Sequence, residues 1–284
     1  MMKKIIIFIL FFTVLQFFTY AEKINNQRLV NNYVNWENKE FNIKITNTIP
    51  VSKKSLPSIK SIIEKNNNHD LPYIILNGIQ ELTIDSKTKG KDYIKEHPNI
   101  IESILGLSPY FKVKSSVFSL DFKSIITTYS INMYPNIAAL FLNHSRTTKL
   151  TEDLNFVPSA LFSGIVIYVN RNLPLYGKHG NGNFSPCLFP KVYNENLDII
   201  IDSLMVNPDI IKEAGTVGYQ TTEESLDLAR IGNTPLKIKA RGLFGINNTD
   251  LIISSRDADK ILGKPENLKL INQGKILIIY ENIN

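Results

Sequence analysis

A single cysteine, Cys187, stands in this chain of 284 residues, so no intramolecular disulfide braces the fold. Histidine is almost as scarce, with four residues: His69, His97, His144 and His179. None has a second histidine three or four residues away, the spacing that places two metal ligands on one helix face. A concentrated basic face is missing as well. The 32 Lys and Arg residues are scattered among 26 Asp and Glu. Nucleic-acid binding needs clustered cations that displace counterions, so no nucleic-acid partner is expected. Beyond residue 20 no apolar run approaches the roughly 20 residues that span a bilayer. With 43% hydrophobic residues, a packed core is expected and a disordered chain is not.

The apolar residues are most concentrated at the start. Met1-Met2-Lys3-Lys4 is basic, Ile5 to Phe18 is nearly unbroken apolar sequence, and Thr19-Tyr20-Ala21 supplies the small residues a signal peptidase reads. This order is that of a secretory signal peptide, residues 1–21, cleaved after Ala21 to leave a chain starting at Glu22. A periplasmic or secreted location follows, with envelope association if the signal is retained as an anchor. The position after Ala21 is Glu22 rather than cysteine, so lipid attachment there is excluded.

Two domains of ordinary size fit the remainder, at about 100–150 residues each. Alternation places Phe41, Ile43, Ile45 and Ile49 on one face of a strand. A helix starts near Pro57 and is interrupted at Asn66-Asn67-Asn68-His69-Asp70, with a second helical stretch after Pro72. Lys91 to Leu105 reads as a helix with Ile94, Ile101, Ile104 and Leu105 buried, divided or kinked at Pro98 and closed by Gly106. A hairpin follows, with Phe111, Val113 and Val117 on one strand and Ile125, Thr127, Tyr129, Ile131 and Met133 alternating along the other. Asn143 to Asn155 is polar and aperiodic, which separates a domain over 30–145 from a second over 156–284. In the second, strands are expected at Gly164 to Val169, Leu236 to Ala240, Asp250 to Ile253 and Lys275 to Tyr280. Asn207-Pro208 starts a helix ending at Gly215, Thr221 with Glu224 forms a capping box for a helix through Arg230, and Ser254 or Ser255 caps a helix to Leu262. The expected class is α+β: two small domains, each of helices packed on a mainly antiparallel sheet.

Few residues suggest chemistry. The loop Gly177 to Asn183 is glycine-rich but lacks the spacing of a phosphate-binding loop. Cys187, between Pro186 and Leu188 in Phe184-Ser185-Pro186-Cys187-Leu188-Phe189-Pro190, has the apolar neighbours of an inert core thiol. Of the carboxylate pairs, Glu223-Glu224 and Asp257 with Asp259 fall in opening turns of expected helices, where they complement the dipole; Asp198 with Asp202 is the third. No catalytic, cofactor-binding or metal residue is assigned, no cofactor is expected, and the chain is read as a non-enzyme.

The segment Trp36-Glu37-Asn38-Lys39-Glu40-Phe41, the helices after it, and the hairpin ending in Ile131-Asn132-Met133-Tyr134-Pro135 resemble the bacterial envelope family of the twenty-kilodalton surface lipoprotein. That family is related to the N-terminal region of the flagellar assembly protein FlgT, and the resemblance covers Tyr33 to Leu142. Between Ser163 and Tyr280, the segments Ser163-Gly164-Ile165-Val166-Ile167, Pro186 to Tyr193, Val206-Asn207-Pro208, Gly215 to Tyr219, Asn233 to Ala240 and Thr249 to Ser254 resemble related envelope proteins. The resemblance implies an α+β fold, a periplasmic or outer-membrane setting, and a structural or assembly role, flagellum-associated in some relatives. Its implied partners are envelope or flagellar basal-body proteins, with self-association also open. Two features depart from it: the missing lipidation cysteine, and a first helix broken at Asn66 to Pro72 where relatives read as one long helix. The alternative is a periplasmic ligand-binding or hydrolytic protein with a site at the 177–187 loop.

Overall fold

The computed structural model describes residues 28–49, 55–148, 159–224 and 226–281. The expected signal peptide and its expected cleavage site lie outside them, as does part of the polar break after Asn143. Two compact units emerge, one from the described parts of 1–31, 43–70 and 113–129, the other from those of 32–42, 71–112 and 130–284.

Strands β1 (Arg28–Asn35), β2 (Glu40–Thr48), β3 (Lys112–Phe118) and β4 (Ser124–Asn132) form a sheet in the order β1-β2-β4-β3. Alternation is clean on β4, where Ile125, Thr127, Tyr129 and Ile131 are buried and their neighbours half-buried. Helix α1 (Leu56–Gln80) lies on that face. It is one continuous helix, not the two expected. Its inward stripe runs Ile59, Asn67, Leu71, Ile75 and Ile79, spaced by four residues or twice that, which keeps one face turned to the sheet.

The polar tract that reads as a break is helical because the sheet holds its side chains. Asn67, 1% exposed, accepts a hydrogen bond from Asn47 Nδ2 at 3.2 Å. Asn68 Oδ1 accepts from the Tyr129 hydroxyl at 2.7 Å, and Asp70 pairs with Arg28 at 2.6 Å. These contacts offset the proline penalty at Pro72, which removes one N–H from the helical ladder. Beyond it, α2 (Gly90–Glu96) and α3 (Ile100–Leu105) are divided around Pro98, as expected. Ile94, Ile100 and Ile104 are buried there, whereas Ile101 and Leu105 are only half-buried. Two short helices, α4 (Met133–Asn136) and α5 (Ala138–Phe141), follow β4.

The second half builds a sheet of a different kind. Strands β5 (Ile165–Val169), β10 (Gly218–Gln220), β11 (Leu236–Lys239) and β14 (Ile276–Tyr280) are ordered β10-β14-β5-β11, and every pair is parallel. The α+β class holds; the mainly antiparallel expectation does not hold for this sheet. Sequence Ile165-Val166-Ile167-Tyr168-Val169 and Ile276-Leu277-Ile278-Ile279-Tyr280 are apolar throughout because both faces are covered. Val166, Leu277 and Ile279 pack with Ile231 on one face, while Ile165, Ile167, Ile276 and Ile278 are each at most 1% exposed on the other. Edge strand β11 alternates instead and presents Lys237 and Lys239 to solvent, which discourages edge pairing.

Helices α6 (Pro208–Ala214), α7 (Leu228–Ile231), α8 (Ser255–Leu262) and α9 (Pro265–Asn272) belong to this half. Asn207 caps α6 through Asp209 N–H, and Ser254 caps α8 through Asp257 N–H. The helix expected from Thr221 is reduced to the single turn α7, capped by Asp227; Glu224 N–H is instead bonded to the Thr222 hydroxyl. A mixed sheet, β12-β13-β8-β9, joins β12 (Gly242–Phe244), β13 (Asp250–Ile252), β8 (Val192–Tyr193) and β9 (Ile199–Ile201). The glycine-rich loop lies in a small hairpin of β6 (Leu173–Pro174) with β7 (Asn181–Gly182).

Candidate functional site

The densest polar chemistry gathers where the loop after α1 meets β8 and β13. Asp85 Oδ1 accepts from the N–H groups of Lys87 and Thr88 at 2.8 Å each, which closes the loop into an Asx turn. Backbone bonds then dock it: Phe189 N–H to Ile84 O at 2.8 Å, and Ile246 N–H to Ser86 O at 2.8 Å. Gly245, at φ +89°, is needed there, since a Cβ would lie 2.4 Å from Ser86 Cβ.

Asp250 sits beneath, fully buried. Its Oδ1 accepts from Lys191 N–H at 3.0 Å and from the Thr249 hydroxyl at 3.3 Å, while Oδ2 has no hydrogen-bond partner of full geometry among the described residues. Burial pushes this carboxyl up to about 6, against the pull of Ser86, the Lys191 N–H and charge, and Thr249. Asp202 is nearby and behaves oppositely. Its carboxylate, 5% exposed, meets Lys191 Nζ at 2.7 Å and accepts from Leu204 N–H at 3.0 Å. Burial works against the charge, but the Lys191 hydrogen bond and the Leu204 N–H hold Asp202 below the usual carboxylate range. Lys191 is likewise raised: burial opposes its charge, and Asp202 more than offsets that.

A cavity of about 300 Å³ opens beside this pair, walled by Ile84, Tyr93, Phe141 and Phe189, with Asp85, Lys191 and Asp202 contributing charge. Tyr93 packs against His97 at 4.5 Å and Phe141 at 5.1 Å between ring centroids. The arrangement can hold a small polar molecule. As a catalyst it is poorly placed, because Lys191 is protonated, Asp202 is ionised, and each satisfies the other.

Other candidates are spread apart. Cys187 is fully buried, its thiol pushed well up by burial and by Asp250. The Tyr219 hydroxyl donates to Cys187 O at 2.9 Å and accepts its N–H at 3.3 Å, fixing this segment to β10. His179 is on the exposed loop, and His69 and His97 are exposed too; His144 reaches Val206 O at 3.4 Å. Asp198 is tied to Asn194 in a turn, away from the role of its partner Asp202. Glu223 and Glu224 are exposed outside any helix, which removes the dipole reading for that pair. Asp257 fits the capping reading, bonded to Ser254 at 2.7 Å and to Lys260 at 2.7 Å. Among the described residues no three His, Cys, Asp or Glu side chains come together as a metal site.

Sequence reading missed Arg230. It is 9% exposed and donates to Ala214 O at 2.7 Å, Gly215 O at 3.0 Å and Ile276 O at 3.4 Å. Burial lowers its pKa, with Tyr134, Asp227 and Tyr219 opposing. The guanidinium closes the C-terminal end of α6, where carbonyls lack helical partners, so its charge serves the fold.

Residues 29–140 match the family model of the N-terminal domain of Treponema pallidum Tp0624. Residues 164–282 match that of its second domain. The chain is similar to Tp0624 over both stretches, in the same order. These are nearly the spans that carried the envelope-family resemblance, but the matched family is the Tp0624 domains. Among curated proteins, none matches the chain. No described helix is long and apolar enough to cross a membrane.

Proposed function

We propose that this chain is an exported, non-enzymatic protein of the cell envelope with a structural or assembly role. One observation supports the non-enzymatic part: among the described residues of the larger unit, five reactive groups are committed to internal bonds. Cys187 and Tyr219 lock one segment, Lys191 and Asp202 satisfy each other, and Arg230 caps a helix. The leader at residues 1–21 supports export, and the absence of a cysteine after Ala21 points to retention by contact rather than by lipid. The resemblance to envelope proteins makes the flagellar basal body the first assembly to test.

Cross-linking the protein in its own cells, followed by purification and mass spectrometry, should recover envelope or basal-body proteins, and deleting the gene should disturb motility or envelope architecture. Normal flagella and motility in the deletion strain would remove the flagellar part. A ligand-binding role is favoured by one feature, the cavity beside Lys191, rather than by the 177–187 loop, whose only thiol is sealed in the core.

A further inference from the structure

The cavity beside Lys191 lies within the larger unit, and aromatic rings and carboxylates share its lining. Helix α2 and its cap bring Tyr93, Glu96 and His97 together, at spacings of three and four residues that share one helix face. Helix α5 ends in Phe141, whose ring meets that of Tyr93 edge-on at 5.1 Å between centroids. Phe189, shortly before β8, supplies a third ring. Phe141 and Phe189 are both buried, and the bond from Phe189 N–H to Ile84 O fixes the latter ring's segment to the loop after α1. Ile84 and Leu142 add aliphatic surface.

The charge on this lining has one net sign. Lys191 Nζ meets Asp202 at 2.7 Å, so those two charges offset each other. Asp85 and Glu96 also line the cavity, and neither forms an ion pair among the described residues. An anion is opposed by these two carboxylates, and a neutral molecule leaves their charge unanswered. Hydrogen-bonding capacity then narrows the choice of cation. Asp202 accepts from Leu204 N–H and the Ser203 hydroxyl with one oxygen and holds Lys191 with the other. Asp85 Oδ1 is engaged by the N–H groups of Lys87 and Thr88. A primary ammonium brings three N–H donors and would compete with these bonds for acceptors. A quaternary ammonium donates none, and its methyl groups pack on aromatic rings that attract positive charge.

We propose that this cavity binds a small molecule carrying a quaternary ammonium group, seated among Tyr93, Phe141 and Phe189 with Asp85 and Glu96 as its counter-charge. At about 300 Å³ the space is at the lower end of small-molecule sites, which suits a compact cation. Binding leaves the ligand chemically unchanged, because Lys191 and Asp202 are held by each other. It is independent of the assembly role, since purified protein alone suffices to test it.

Purified protein beginning at Glu22 is titrated by calorimetry, at constant ionic strength, with choline chloride, with ammonium chloride and with 3,3-dimethylbutan-1-ol, the neutral isostere of choline. Choline should bind about 10-fold or more tightly than either of the others. The double variant D85N/E96Q should weaken choline by about 10-fold and leave the alcohol unaffected. Its melting temperature should match the parent's, because asparagine at 85 keeps the oxygen that closes the Asx turn. Tyr93→Leu should weaken choline by a similar factor through loss of a ring. No heat of binding with millimolar choline, or equal binding of choline and the alcohol, would overturn the proposal. Unchanged choline affinity in D85N/E96Q would place the ligand elsewhere and overturn it too. Ammonium binding as tightly as choline would show a site for charge alone, which overturns the quaternary assignment.

Discussion

Strand β4 has nine residues, four of them apolar or aromatic, whereas β5 and β14 have five each and are apolar or aromatic throughout, and the two kinds solve burial differently. On β4 every second residue is in the core, so its two faces carry different duties. On β5 and β14 nearly every residue is buried, because the parallel sheet is covered on both sides. A one-sided sheet leaves its second face only partly covered, as on β4; a two-sided sheet leaves only its ends and loops.

The largest effects should come from breaking this contrast directly. Replacing neighbours Val166 and Ile167 singly by alanine should cost about 2–5 kcal/mol for Ile167 and about 1–3 kcal/mol for Val166, since both lie in the core. On β4, Ile125→Ala should cost about 2–5 kcal/mol and Ile126→Ala less than about 1 kcal/mol. Urea unfolding midpoints with unchanged slopes would check all four; equal losses at 125 and 126 would erase the distinction. Arg230→Met should destabilise by roughly 2–4 kcal/mol, because it strips Ala214 and Gly215 carbonyls of their donor. A loss below about 0.5 kcal/mol in thermal unfolding would show the cap to be dispensable.

Asp250 tests the larger unit by pH. Its folded pKa of about 6 exceeds the unfolded value of 3.8, so the folded state holds the proton more tightly. The stabilisation is full below the unfolded value and is lost as pH rises through the folded one. Asp250→Asn should therefore gain relative to the parent between pH 5 and 7.5, by on the order of 1–3 kcal/mol at the upper end. A parent-to-variant difference that does not change with pH would contradict a carboxyl whose burial outweighs its hydrogen bonds. The smallest effect concerns α1. Pro72→Ala restores an N–H to the helix and should stabilise by about 1 kcal/mol, after allowance for a more flexible unfolded chain. Destabilisation in the same unfolding assay would mean that the ring is needed for packing.

How much of this was legible depended on whether the deciding contacts were local. Helix caps at Asn207 and Ser254 were readable because the donors lie within three residues. Alternation along Ile125 to Ile131 announced a one-faced strand for the same reason. Asn66 to Asp70 misled because Asn47, Tyr129 and Arg28, which hold that tract in the helix, come from distant strands. The unbroken apolar runs at 165–169 and 276–280 did carry the sign of a parallel, doubly covered sheet; their periodicity alone did not reveal their direction. Outside the candidate site, the cap at Asp257 was local and visible. Arg230, Asp250 and the Lys191–Asp202 pair depend on partners scattered over the larger unit, and residue type alone did not distinguish them from surface charges.

The central claim is that an exported chain, with Cys187, Lys191, Asp202 and Arg230 committed to its own fold, works by contact in the envelope. Fractionation of the native cells with intact-mass analysis tests it most directly. The account predicts that the protein is found in the envelope or periplasmic fraction, with a mass corresponding to a chain starting at Glu22, or to the full chain if the leader is kept as an anchor. Full-length protein found in the cytoplasmic fraction would contradict it.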